Sequence, residues 1–169
     1  MTNPNEAGSN WESRFHHSPI DIQDYQSLET YRVALITVDD ERGSLSVLNG
    51  HQTLDEIKRV FFVYGSTLQS KRGDHSHFNC SQVLISSSGW TDVYLETPTR
   101  EYFCVRLSSP RFGLLIPPLH WACQFRRSNE AVLTVMASEP YSEQDYIRVY
   151  EEWELVVSNK EKSTAPLPK

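Results

Sequence analysis

Lys71-Arg-Gly-Asp-His-Ser-His-Phe-Asn-Cys-Ser-Gln82 is the stretch on which the reading of this chain turns. In a strand, residues i and i+2 project from the same face, so His75 and His77 send two imidazoles into one space. Interior imidazoles are costly to desolvate unless they have partners or a task. The plain alternative is a pair on a strand's solvent face, which a bare H-x-H commonly is. Around this stretch the dominant signal is strand. Upstream, Arg32-Val-Ala-Leu-Ile-Thr-Val38 is β-branched and runs into the turn-forming Asp39-Asp-Glu-Arg-Gly43. Ser44 to Leu48 and Arg59-Val-Phe-Phe-Val-Tyr64 read the same way. Downstream follow 81–86, 91–95, 101–107, 113–116, 122–126 and 132–137, spaced by Gly, Ser, Asn or Pro. Short strands at such regular intervals are the pattern of a sandwich or barrel. Only Ser142 to Trp153 reads as helix: Ser142 is a candidate cap, and Tyr146, Val149, Tyr150 and Trp153 fall at helical spacing.

The chain has 169 residues, enough for one domain with a real core. Apolar residues at 38% and charged residues at 22% exclude a collagen-like or wholly disordered chain. The net charge of −6 argues against a nucleic acid or an anionic membrane as partner. Apolar runs are far shorter than the roughly 20 residues a spanning helix needs. The start, MTNPNEAGSNWESR, lacks a basic-then-apolar signal pattern, and Cys80, Cys104 and Cys123 show no C-x-x-C spacing. These features point to a cytoplasmic protein with reduced thiols. Residues 1–18 and the Lys, Ser and Pro-rich 158–169 read as flexible tails around a single domain, 19–157.

With Gly73 before the pair, Gln82 five positions after His77 and Gly89 beyond, the segment resembles the first cupin motif. Ile116-Pro-Pro-Leu-His-Trp-Ala122 corresponds to the second. Gln82 stands where a cupin metal site has its carboxylate, and Ala122 stands where it has a further histidine. A transition-metal site needs three or more good protein ligands, so no metal is expected. His120 is the remaining imidazole that could join the pair, though in a strand it faces opposite to the expected line. Unligated histidines retain nitrogens able to act as acid and base near neutral pH.

Five ordered segments then resemble the WxcM/FdtA-like family of cupin-type dTDP-4-oxo-6-deoxyhexose 3,4-ketoisomerases. They are Asp40-Glu-Arg-Gly-Ser-Leu45, Ile57-Lys-Arg-Val-Phe-Phe-Val-Tyr64, Arg72-Gly-Asp-His-Ser-His77, Gly113-Leu-Leu-Ile-Pro-Pro-Leu-His-Trp121 and Ala137-Ser-Glu-Pro-Tyr-Ser-Glu-Gln-Asp-Tyr-Ile-Arg-Val-Tyr150. The resemblance implies an all-β, double-stranded jelly roll with a short C-terminal helical segment, and a homodimer. It implies a dTDP-linked 4-keto-6-deoxy sugar as substrate, whose ketone moves from C4 to C3 without a cofactor. The implied setting is deoxyamino-sugar biosynthesis, leading to lipopolysaccharide or another glycan.

By the same resemblance His75 and His77 are the active-site histidines, with His75 as principal acid/base and His77 holding the sugar oxygens. Tyr64 is the third catalytic candidate, as a donor to the developing oxyanion. Arg72 and Arg42 are candidates for the diphosphate or the sugar oxygens. Gln82, Trp121 and His120 complete the candidate substrate contacts. Asp145, Tyr146 and Arg148 read as structural anchors. Ala122 occupies a position that is commonly Arg or His in relatives and lines their sugar pocket, which leaves the C4 configuration of the product open. Two other readings stay open at this point: an epimerase of the same 4-keto sugars, and a sugar-nucleotide-binding cupin without catalysis.

Overall fold

The computed structural model describes residues 18–49, 54–68 and 70–164. Its strands are β1 (Ile20–Asp21), β2 (Arg32–Ala34), β3 (Ile36–Asp40), β4 (Gly43–Val47), β5 (Arg59–Val63), β6 (Arg72–His77) and β7 (Gln82–Ser88). They continue as β8 (Thr91–Glu96), β9 (Tyr102–Leu107), β10 (Phe112–Ile116), β11 (Trp121–Arg127), β12 (Val132–Ala137) and β13 (Tyr146–Ile147), with one helix, α1 (Tyr150–Thr164). One sheet has the order β1-β9-β8-β11-β6-β13, the other β2-β10-β7-β12-β5, and β3 and β4 form a separate hairpin. This is a cupin-like jelly roll. Strands from distant parts of the chain lie side by side, which is why no single segment announces the sheet order.

The core follows from alternation. Val93, Leu95, Val105 and Leu107 on one sheet meet Leu84, Leu114, Leu133 and Val135 on the other, all buried. Each such side chain contributes about 1.5–3 kcal/mol when fully buried. The opposite face of the first sheet is covered by α1, where Trp153 and Tyr150 pack against Trp121, Tyr94 and Cys123. Two polar contacts fasten the helix. Trp153 donates its indole N–H to the Leu119 carbonyl at 2.7 Å. The Tyr150 hydroxyl meets the buried Glu96 carboxylate, which Tyr94 and Arg100 also reach. A buried carboxylate is tolerated only when its lone pairs are met in this way.

Three expectations change here. The segment 32–38 is two strands broken at Leu35, whose N–H bonds the Arg111 carbonyl. The helix read over 142–153 begins only at Tyr150. Before it come a 3-10 turn over Glu143–Asp145 and the strand β13, whose Tyr146 and Ile147 pair with His77 and Ser76 of β6. Tertiary pairing overrides the helical spacing. The helix also runs past the boundary read at 157, so 158–164 continues α1. The N-terminal tail as read lies, apart from residue 18, outside the described residues.

Candidate active site

The motif that opens β6 is built around a bulge. The pairing of β6 with β11 shifts register between Ala122 and Cys123, opposite Gly73 and His75. Gly73 has φ +80° and Asp74 φ +55°, both in the left-handed region. A Cβ on Gly73 would stand 3.0 Å from the Ala122 carbonyl oxygen, so only glycine fits without displacement. The bulge aims Asp74 outward, where it accepts the Trp121 indole N–H at 3.1 Å, and leaves His75 and His77 together on the inner face.

Their rings are 4.9 Å apart, nearly perpendicular. Tyr146, cross-strand from His77, packs 4.3 Å from the His77 ring and 4.8 Å from the His75 ring. His77 is held at both nitrogens. Nδ1 donates to Asp145 Oδ2 at 3.0 Å, and Nε2 accepts from the Gln82 amide at 3.1 Å. The carboxylate fixes this tautomer, because an acceptor-only group demands the proton on Nδ1. Asp145 is held in turn by the backbone N–H groups of Asn79 and Cys80 and by the Asn79 amide. His75 is different. Its Nδ1 is buried with no hydrogen-bond partner, and the nearby Gly73 backbone closes no bond of good geometry.

Burial lowers the pKa of both imidazoles. His77 is held at about 4 by burial and by the adjacent His75, against the opposing pull of Asp145. His75 is lowered by burial, and the charges of Arg148 and Arg59 add to the effect. Both are therefore neutral bases at pH 7, and His75, unlike His77, leaves its Nδ1 without a partner among the described residues.

Of the residues read from sequence, the structure brings His75, His77 and Gln82 together. It does not bring Tyr64, which follows β5 on the face opposite Phe61 and Val63 and is 69% exposed. Tyr64 lies five residues beyond Arg59, about 16 Å at strand rise, at the strand end away from the Gln82 rim. Arg72, at the other end of β6 from His77, is exposed. Arg42 sits in the exposed β3–β4 turn and pairs with Asp40. Trp121 is fully buried under α1, on the opposite face of β11 from Ala122, so it is a core residue. His120 has its own partners: Nδ1 donates to the Pro118 carbonyl at 3.0 Å and Nε2 accepts from the Tyr31 hydroxyl at 3.1 Å. Ala122 faces the pocket directly opposite His75. Two residues read as anchors, Asp145 and Tyr146, are instead in contact with the pair. The signal for them was the strand parity of β13, hidden by its length of two residues.

His77, Cys80 and Asp145 place ligand atoms within 4.8 Å of one another. Those atoms are already engaged, because both Asp145 oxygens accept N–H donors and the Cys80 thiol donates to the Ser81 carbonyl. Gln82 occupies the inward nitrogen of His77. The donor set thus fits a hydrogen-bond network and not a metal centre.

A two-sheet jelly roll with two neutral imidazoles on its inner wall, one of them locked by a carboxylate, is a cupin-like protein equipped to move protons. The family follows from comparison: the FdtA profile, described as WxcM-like, C-terminal, matches residues 29–158, and this chain belongs to that family. The chain is 33% identical over 122 residues to the TDP-4-oxo-6-deoxy-alpha-D-glucose-3,4-oxoisomerase of Aneurinibacillus thermoaerophilus, covering 70% of this chain and 86% of that protein. It is similar to QdtA, a sugar 3,4-ketoisomerase from Thermoanaerobacterium thermosaccharolyticum solved with TDP. The TM-score there is 0.72, with 32% identity over 76% of this chain and 94% of QdtA. It is also similar to the WlaRB TDP-quinovose 3,4-ketoisomerase of Campylobacter jejuni, with a TM-score of 0.69 and 36% identity over 73% and 95%.

Proposed function

We propose that this chain is a sugar-nucleotide 3,4-ketoisomerase, acting on a dTDP-linked 4-keto-6-deoxyhexose. The observation that carries the reading is the uncommitted His75 imidazole beside the Asp145-locked His77. In the proposed reaction His75 removes the C3 proton. The C–H electrons form a C3=C4 double bond, and the C4 oxygen gains a proton to give an enediol. The C3 hydroxyl then loses its proton as C3=O forms, and the double-bond electrons take a proton at C4. No oxidant is consumed, because one carbon is oxidised as its neighbour is reduced. One imidazole spans both carbons, since they are adjacent. The Gln82 amide, oriented by its bond to the Asp145-locked His77, holds the sugar oxygens with its remaining N–H and its carbonyl, polar groups already oriented before substrate arrives. A positioned acid/base of this kind supplies about 10²–10⁴-fold.

The product is a 3-ketone, suited to amination in deoxyamino-sugar biosynthesis. We further propose that the enzyme is cytoplasmic, a reading its free thiols Cys80, Cys104 and Cys123 support. It is further proposed to be a homodimer, supported by the exposed apolar side chains Ile36, Val38, Leu45, Val60 and Phe62 on β3, β4 and β5. The test is NMR of the product formed from TDP-4-keto-6-deoxyglucose. A carbonyl at C3 supports the reading. A carbonyl retained at C4 with inversion at C3 or C5 makes the protein an epimerase, and tight TDP binding without exchange makes it a binding protein.

A further inference from the structure

Gln124 is absent from the residues assigned above, yet it faces the same pocket. From Trp121 to Gln124 the pairing of β11 with β8 is regular, so alternate side chains share a face. Ala122, opposite His75, has the core residue Leu95 as its other partner, and Gln124 has the core residue Val93. Gln124 therefore stands on the inner wall with Ala122, about 7 Å further along β11. Its partner on β6 is Arg72, so it lies on the side of His75 away from His77 and Gln82. Between the amide and His75 on this wall, β11 places only the methyl group of Ala122.

Two glutamine amides thus flank His75, and they are held differently. The Gln82 amide is bonded to His77 at 3.1 Å. Gln124 uses its backbone carbonyl, which accepts from Arg127, but its side chain makes no hydrogen bond among the described residues, and its Oε1 is buried. His75 Nδ1 is in the same condition. A buried amide left unmet costs stability, and native interiors rarely retain one without a water, a ligand or a task to meet it. In a 4-keto-6-deoxyhexose with C3 over His75, the two neighbouring carbons carry the C2 hydroxyl and the C4 oxygen, one on each side. We infer that Gln124 is a further substrate-contacting residue, binding the oxygen on whichever neighbour of C3 lies away from Gln82. An amide suits either oxygen, since its N–H donates to a carbonyl and its C=O accepts from a hydroxyl. The inference rests on the function proposed above and deepens it. Gln82 and Gln124 fix the ring from both sides, so that C3 and no other carbon meets the imidazole.

The test is steady-state kinetics of wild type and Gln124→Leu on TDP-4-keto-6-deoxyglucose and on its 2-deoxy counterpart, with TDP affinity and urea midpoints measured alongside. Loss of a buried partner should lower kcat/KM on the parent sugar roughly 5–150-fold. TDP, which carries no sugar, should bind within about twofold of wild type. The urea midpoint should hold or rise, because an unmet amide gives way to an apolar side chain. If the contact is to the C2 hydroxyl, wild type loses the same factor on the 2-deoxy sugar and the variant no longer distinguishes the two. If it is to the C4 oxygen, where charge develops, both sugars lose alike and the fall is in kcat. Gln124→Met keeps the side-chain length and repeats the test should Gln124→Leu fold poorly. A kcat/KM within about twofold of wild type in both variants overturns the assignment, as does an equal loss of TDP affinity. A urea midpoint that falls together with activity in both makes Gln124 a structural residue and overturns it too. Turnover by wild type tests the proposed function separately: without it that reading fails first and the assignment falls with it, whereas wild-type turnover with unaltered variants removes Gln124 alone.

Discussion

Asp145 and Gln82 occupy the two nitrogens of His77, while the buried Nδ1 of His75 has no hydrogen-bond partner among the described residues, and this difference separates two residues that sequence presents as equivalent. His75→Ala should reduce turnover by about 10²–10⁴-fold with an unchanged circular dichroism spectrum; near-normal turnover removes it from the mechanism. Asp145→Ala should act on two readouts at once. Turnover falls because His77 loses its tautomer, and stability falls by about 1–3 kcal/mol as the buried N–H of Cys80 is left unmet. A loss of activity without a shift in the urea midpoint would contradict that account. The pH dependence has a definite sign. His77 is held at about 4 in the folded protein against an ordinary 6.5, so unfolding takes up a proton between those values. Its stabilisation is complete above about 6.5 and declines as pH falls towards 4, by a total of the order of 3 kcal/mol. Urea midpoints for wild type and His77→Asn, compared at pH 7.5 and pH 4.5, should converge at the lower pH.

At the scale of elements, β5 and β12 were legible because one face of each is more buried than the other, and β7 and β8, buried on both faces over most of their length, because of their β-branched and apolar residues. The histidine pair was legible because residues i and i+2 of a strand share a face. Trp121 and Ala122 are adjacent in β11, so parity alone separates them: with Ala122 towards the pocket, Trp121 must lie under α1. The same parity, continued one residue past β5, turns Tyr64 outward. The strand β13 was not legible, since two residues carry no periodicity and its existence depends on pairing with β6, some 70 positions earlier. The helix is real from Tyr150 onward, where Tyr150, Trp153 and Val157 pack at helical spacing. Trp153→Ala should cost about 3–5 kcal/mol in urea unfolding, and a change below about 1 kcal/mol would show that α1 contributes little to the body. Gly73→Ala should destabilise by more than about 1 kcal/mol, because it adds left-handed strain to a clash with the Ala122 carbonyl.

The whole molecule joins a rigid two-sheet body to one small polar site on its inner wall. That division explains why the fold and the histidines could be read from one chain while the placement of the motif arginines could not. Arg42 and Arg72 stand in the family motifs, yet Arg42 pairs with Asp40 in an exposed turn and Arg72 is exposed at the far end of β6 from His77. Assembly is the other property of this scale. Sedimentation should give a species of twice 19.5 kDa, and Phe62→Glu should shift it towards the monomer; a wild-type monomer at micromolar concentration contradicts the dimer. The measurement that bears most directly on the whole account is NMR of TDP-4-keto-6-deoxyglucose incubated with the protein in deuterium oxide. The account predicts a new carbonyl at C3 and deuterium at C4, both lost in His75→Ala. A carbonyl that stays at C4, or unchanged conversion by that variant, would contradict it.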